Sequence, residues 1–217
     1  MFNKLAALLT MCSVFGWTTQ TRQIDFLDLT KRPPQRKRLS AKSVGALSGG
    51  DHGRDIRIIP VRVLLERVDR SSYSIKDQVV YDVVLENITN ETLVIPWSSD
   101  YDRIKPEEEK DPPAYRSAVL SMIVEGKSPD YWPMAGRAIH GSQLVARSLK
   151  KLKPGEKVRI RASGSWWIGI ESVWARFTAE LPRTVELRAK YTLYDRPIES
   201  RYKSAVSDNS VAVELRR

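Results

Sequence analysis

The sequence predicts an all-β chain folded as an antiparallel β-sandwich. Three observations carry this. Runs of four to ten residues alternate apolar and polar side chains with the period of two that buries one face of a strand. Clusters of Gly, Pro, Asn, Asp and Ser separate these runs. No segment of the globular part keeps a helical period for long.

The first strand is expected at residues 56–68, with Pro60 marking an edge or a bulge because proline donates no ladder hydrogen bond. A loop follows at 69–74. Residues 79–88 form the next strand, with Val79, Tyr81, Val83 and Leu85 on one face and Asp82 and Glu86 on the other. Residues 87–91 turn the chain, and 92–96 return as a hairpin or as a corner between sheets. Asn87 and Asn90 each begin a glycosylation sequon but read more simply as turn residues. An acidic loop fills 100–113. Residues 115–124 alternate again, the set Arg116, Ala118, Leu120, Met122 and Val124 being the more apolar. Residues 126–141 read as irregular and 144–149 as a strand. At Pro154-Gly155 proline fixes one dihedral and glycine supplies a positive φ, the chemistry of a tight turn. Val158, Ile160 and Ala162 then alternate with Lys157, Arg159 and Arg161. Residues 173–180 fit a short helix. Residues 184–194 are the cleanest strand, Val185, Leu187, Ala189, Tyr191 and Leu193 lining one side. Residues 194–197 turn, and Val211, Val213 and Leu215 point inward from the last strand. Seven or eight such strands over residues 55–217 describe an immunoglobulin-like sandwich, preceded by a flexible N-terminal tail.

The tail divides in two. Residues 1–17 begin with the basic Met1-Phe-Asn-Lys4 and continue uncharged and mostly apolar to Trp17, as a secretory signal does. The run is short for a membrane span, which needs about 20 apolar residues. A lipidated Cys12, an uncleaved anchor and a buried element of a cytoplasmic protein remain open beside the signal. Residues 18–54 read as a disordered linker. Within it Lys31, Arg32, Arg36, Lys37 and Arg38 surround Pro33-Pro34, and Gly49-Gly50 follows. This cluster suits an anionic membrane surface, each basic residue contributing about 1 kcal/mol near charged lipid. A solvated tether is the plainer reading, and no specific nucleic-acid partner is expected.

The formal net charge is +10. Residues 18–55 hold eight Lys and Arg against four Asp and Glu, and residues 56–217 hold 27 against 22. The folded part therefore has only a mild basic bias, with its signs interspersed. Cys12 is the sole cysteine, so no intrachain disulfide and no thiolate metal site forms.

Two stretches carry a family resemblance. One is Leu85-Glu-Asn-Ile-Thr-Asn-Glu-Thr-Leu-Val-Ile95; the other is Leu152-Lys-Pro-Gly-Glu-Lys-Val-Arg-Ile-Arg-Ala-Ser-Gly-Ser-Trp166. Over residues 58–194 the chain resembles the immunoglobulin-like domains of the intracellular proteinase inhibitor (BsuPI) type. The Trp-rich strand after that family's first hairpin is missing here, although Trp97 sits nearby. Its Gly-x-Tyr entry to the last strands is replaced by Leu181-Pro-Arg-Thr184. The resemblance implies the sandwich, offers protease inhibition as an alternative function, and transfers no inhibitory residue.

Catalytic chemistry finds little support. His52 lies in the linker and His140 in a presumed surface loop, and neither belongs to a zinc pattern or to a nucleophile elbow. No phosphate-binding loop occurs, and the acidic run 107–111 lacks the spacing of a calcium loop. No cofactor or metal is expected. The binding candidates are loop aromatics: Trp97, Tyr101, Tyr131, Trp132, Trp166 and Trp167. Such rings stack on sugars or anchor protein interfaces, and they also plug the ends of sandwich cores. The reading is a non-catalytic protein, secreted, periplasmic or membrane-tethered, that binds a protein partner of unknown identity. A BsuPI-like inhibitor and a carbohydrate-binding module are the alternatives.

Overall fold

Strand alternation sets the architecture. A computed structural model describes residues 24–31, 57–100, 104, 115–124, 136–166, 179–195 and 202–217. They form thirteen strands in an all-β sandwich: β1 (Asp25–Asp28), β2 (Arg57–Ile58), β3 (Val61–Val68), β4 (Ser72–Ser74), β5 (Gln78–Asn87), β6 (Leu93–Pro96), β7 (Tyr115–Val124), β8 (Arg137–Ser142), β9 (Leu149–Leu152), β10 (Lys157–Ser165), β11 (Arg183–Asp195), β12 (Tyr202–Val206) and β13 (Val211–Arg216).

One sheet has the order β1-β10-β5-β3. The other runs β2-β12-β11-β13-β4, with β7 and then β8 added along β11. β6 and β9 pair as a small third sheet. The inward residues of β3, β5 and β10 meet those of β7, β11 and β13. Val63, Leu65, Val83, Leu85, Val158 and Ile160 are buried from one side, and Leu120, Met122, Leu187, Tyr191 and Leu215 from the other. Burying each of the large ones contributes about 1.5–3 kcal/mol. Tyr81 carries a hydroxyl into this core. Its Oη donates to the Leu120 carbonyl at 3.1 Å and so joins the two sheets.

Every inward set read from the alternation of 79–85, 158–162 and 185–193 is buried. The differences lie elsewhere. The strand count exceeds seven or eight because several edge strands are only two to four residues long, too short to show alternation. β1, β2 and β4 pair in parallel with β10, β12 and β13, so the sandwich is not purely antiparallel. The expected loop at 69–74 holds β4. The expected irregular stretch 126–141 ends in β8, whose sequence Arg-Ala-Ile-His-Gly-Ser does not alternate cleanly. Residues 146–148 form a 3-10 turn, with the strand beginning at Leu149. Residues 92–96 turn a corner, since β6 leaves β5 to pair with β9. The expected helix at 173–180 and the acidic loop at 107–111 lie largely or wholly outside the described residues, as do residues 1–17.

The linker expectation is corrected in one place. Residues 25–28 are a strand hydrogen-bonded along β10, and Leu29 is buried in the core. Leu27 and Leu29 alternate with Phe26 and Asp28, and the apolar pair faces inward, which offsets part of the entropy cost of ordering the segment. The rest of the linker lies outside the described residues.

Candidate functional site

The β1–β10 edge gathers the most varied chemistry among the described residues. Asp25, Phe26, Leu27 and Asp28 stand beside Val158, Arg159, Ile160 and Arg161 in parallel register. The ladder continues with Leu29 N donating to the Arg161 carbonyl at 2.8 Å. Side chains then read the strand position by position. Asp25 is bonded by the Lys150 ammonium, which also lies 3.5 Å from Glu156. The Arg161 guanidinium sits over the Phe26 ring, 5.5 Å from its centroid. Leu27 packs against the core, and Leu29 is 5% exposed within it. Asp28 accepts from the backbone N–H and the hydroxyl of Thr30, and Lys31 lies 3.7 Å from it. Burial raises the Asp28 pKa, but Thr30, Lys31 and Arg161 outweigh that effect and hold it below the ordinary value.

Arg161 is itself fixed from the other side. It donates to Asp82 Oδ1 at 2.7 Å and to Oδ2 at 3.0 Å, and Arg67 donates to Oδ2 at 2.7 Å. Asp82 is 3% exposed, and two guanidiniums satisfy its charge. The hydrogen bonds from Arg161 lower its pKa first, those from Arg67 next, and desolvation opposes both. Two further pairs, Arg159 with Glu66 at 2.6 Å and Arg62 with Glu86 at 3.3 Å, extend this charge lattice over the outer face.

Past Leu29 the seam opens into a cavity of about 200 Å³, lined by Leu29, Thr30, Lys31, Ser99, Arg137, Ala138 and His140. Nε and Nη2 of Arg137 both reach Ser163 Oγ, at 3.2 and 3.0 Å. The His140 backbone exchanges hydrogen bonds with Ser98 at 2.7 and 3.0 Å, which holds β8 against the end of β6. Burial depresses the imidazole pKa and nearby Asp100 opposes the shift, the net effect favouring the neutral ring. Gly141 follows because β8 passes close to β6 and β9. A Cβ there would stand 2.5 Å from a Leu149 methyl and 3.0 Å from Pro96 Cα. The chemistry on offer is recognition of an extended strand, with cations and hydroxyls at one end.

The sequence-derived candidates scatter. Trp166 is 8% exposed and belongs to the core, its indole N–H without an acceptor among the described residues. Trp97 is half-buried, packs against the core, and donates its backbone N–H to Ser148. Trp166 therefore helps to close the core, and Trp97 keeps part of its ring at the surface. Tyr101, Tyr131, Trp132 and Trp167 lie outside the described residues, as do Arg32, Arg36, Lys37 and Arg38. Lys31 is highly exposed and lines the cavity. Phe26, 49% exposed, was not among the sequence candidates. Its signal was the alternation of Phe26 and Asp28 with Leu27 and Leu29, hidden in a segment that reads as linker.

The two stretches that carry the family resemblance meet at one corner. Asn87 is fully buried. Its Nδ2 donates to the carbonyls of Glu91 at 2.7 Å and Leu152 at 2.9 Å, and its Oδ1 accepts from Thr89 N and Oγ1. Its backbone exchanges hydrogen bonds with Gly155 and Glu156. Asn87 is thus a structural residue with no exposed amide, which removes it as a sequon acceptor.

Among the described residues no group of three His, Cys, Asp or Glu is placed to hold a metal ion. No helix there is long and apolar enough to cross a membrane. No family model and no curated protein matches the chain. Solved structures share only a distant likeness. The Pseudomonas fluorescens alkylpurine DNA glycosylase AlkC is 13% identical, with a TM-score of 0.31 over 73% of this chain and 31% of its own. The Bacillus subtilis sporulation control protein Spo0M is 12% identical, with a TM-score of 0.32 over 74% and 51%. AvmM, which catalyses macrocyclization in alchivemycin A biosynthesis, is 12% identical, with a TM-score of 0.30 over 75% and 90%. The chain spans less than two thirds of the length of the first two.

Proposed function

We propose that this chain is a non-catalytic β-sandwich protein, exported or membrane-tethered, that binds a protein partner by strand addition at the edge of β10. Strand addition draws affinity from backbone hydrogen bonds and specificity from alternate side-chain contacts. The observation that carries the reading is that this edge takes a strand, residues 25–29, with a distinct side-chain partner at successive positions. Export or tethering rests on the basic-then-apolar pattern of residues 1–17.

Photo-crosslinking in the native host tests the binding. A photoreactive residue at position 159, on β10, is expected to give a discrete protein adduct, and one at position 186, on the outer face of the other sheet, none. Equal adducts at both positions, or none at either, overturn edge binding. Cell fractionation with the mature N-terminus read by mass spectrometry tests location. An intact chain found only in the cytosol overturns export.

A second reading is protease inhibition, which rests on the family resemblance of residues 85–95 and 152–166. Inhibition of a serine protease at near-stoichiometric ratio would replace the first reading, and its absence leaves the first standing.

A further inference from the structure

We infer that β1 is a detachable plug: residues 25–29 occupy in cis a strand-acceptor groove whose partner in trans is an extended segment with acidic, aromatic, apolar, acidic and leucine residues in succession. The inference rests on the edge-binding reading and names the partner's chemistry and the regulation of that site. The groove is the edge of β10 that β1 covers, with Lys150 at one end, Arg161 in the middle and an apolar slot for two alternate residues. Its present occupant matches these features: Asp25 on Lys150, Phe26 under Arg161, and Leu27 and Leu29 in the slot. Asp28 is bonded within its own segment by Thr30 and Lys31, and the Arg161 charge also favours it.

Three observations mark the occupant as separable. β1 is four residues long and, among the described residues, pairs with β10 alone. Its first two residues are exposed, Phe26 by 49%, so only Leu27 and Leu29 hold it by burial. In the sequence 25 residues, 32–56, separate its segment, 24–31, from the next strand. The other strands of this sheet, β10, β5 and β3, keep their mutual ladders when β1 departs. Cis occupation works through effective concentration, so a partner must exceed it in affinity or length. The matching pattern gives selectivity, because a strand with a basic residue at the first position meets Lys150 and is repelled.

The test uses the full chain and a fluorescent peptide with the sequence of residues 24–31. In the double variant Leu27→Asp/Leu29→Asp the plug is expelled. This variant should bind the peptide at least roughly tenfold more tightly than the wild type, because the cis competitor is gone. Adding Lys150→Glu should weaken that binding severalfold, and a scrambled peptide should not bind. Hydrogen exchange on the wild type should show the Leu29 amide exchanging at least about a hundredfold faster than that of Ile160. Equal peptide affinity for both proteins, or no binding to a cooperatively folded double variant, overturns the plug. A double variant that fails to fold overturns it too, because β1 would then be part of the folding unit. So does a Leu29 amide as slow as that of Ile160. Any of these results obtained with the position-159 adduct intact sinks the plug and spares edge binding.

Discussion

Asn209 and Leu65 exchange two hydrogen bonds across the gap between the sheets. The Leu65 N–H donates to Asn209 Oδ1 at 2.9 Å, and Asn209 Nδ2 donates to the Leu65 carbonyl at 2.7 Å. The side-chain amide takes the place of one residue of a neighbouring strand. It reaches this position from a bulge between β12 and β13, where residues 207–210 stand opposite only 188 and 189 of β11. Ser207 holds the bulge, donating its backbone N–H to the Ala189 carbonyl and accepting Ala189 N–H on Oγ. Asp208 N donates to the Val63 carbonyl at 3.1 Å. The bulge therefore covers the β3 edge, which would otherwise offer its unpaired backbone to another strand.

Asn209→Ala should lower stability by about 1–2 kcal/mol, the sum of two partly exposed hydrogen bonds. Asn209→Asp should cost more at neutral pH, since a carboxylate would replace the donor facing the Leu65 carbonyl. Urea unfolding of the three proteins with a common m-value checks the order; an aspartate variant as stable as the wild type would refute the pairing.

The Asn87 corner makes a stronger demand. All four hydrogen-bonding positions of its side chain are filled inside the protein. Asn87→Ala strands the Leu152 carbonyl and the Thr89 N–H together, so a loss of about 2–4 kcal/mol is expected. The neighbouring Gly155 has φ +71° and no atom within 4 Å of a built Cβ. Gly155→Ala should therefore cost only the left-handed backbone term of about 1–2 kcal/mol, and Gly155→Asn less. Thermal unfolding of this pair separates backbone strain from crowding.

Two titrations should shape the acid limb of stability. The Asp82 pKa is lowered in the folded protein. Its contribution is complete above the unfolded value of about 3.9 and is lost as pH falls through the lower folded value. The His140 pKa is also lowered. The unfolded chain then binds the extra proton first, so stability is lost as pH falls below about 6.5, the unfolded value. Chemical denaturation across pH 2–8 should show both regions. Asp82→Asn should flatten the lower one, and His140→Gln should flatten the upper one and leave the lower intact. A wild-type profile with no loss between pH 6.5 and 5 would contradict the burial of His140.

The legibility of this chain follows from physics that differs between its parts. Strands buried on one face over eight or more residues announce themselves, and the inward sets of β5, β10 and β11 were all readable from alternation. Strands of two to four residues at sheet edges take their conformation from a neighbour, so β4 left no local pattern and the brief alternation of β1 did not stand out from its surroundings, whereas β2 fell within the expected strand 56–68. Composition does not tell an aromatic ring that plugs a core from one that waits for a ligand, and at Trp166 the ring lies in the core. Phe26 escaped notice because its partner, Arg161, is 135 positions away.

The pairing of Phe26 with Arg161 yields the last prediction. Arg161 joins the plug to the buried Asp82, so its removal should have two separable effects. Arg161→Lys keeps the charge but loses the bidentate fork and the flat contact with the ring. It should lower global stability in urea unfolding, through the weakened hold on Asp82. Phe26→Ala leaves Asp82 untouched and should cost about 1 kcal/mol or less globally, since the ring is half exposed. Both variants should speed exchange of the Leu29 amide, because both loosen β1. If Phe26→Ala lowers global stability as much as Arg161→Lys, β1 is bound into the cooperative core, and the edge of β10 is not a groove that opens on its own.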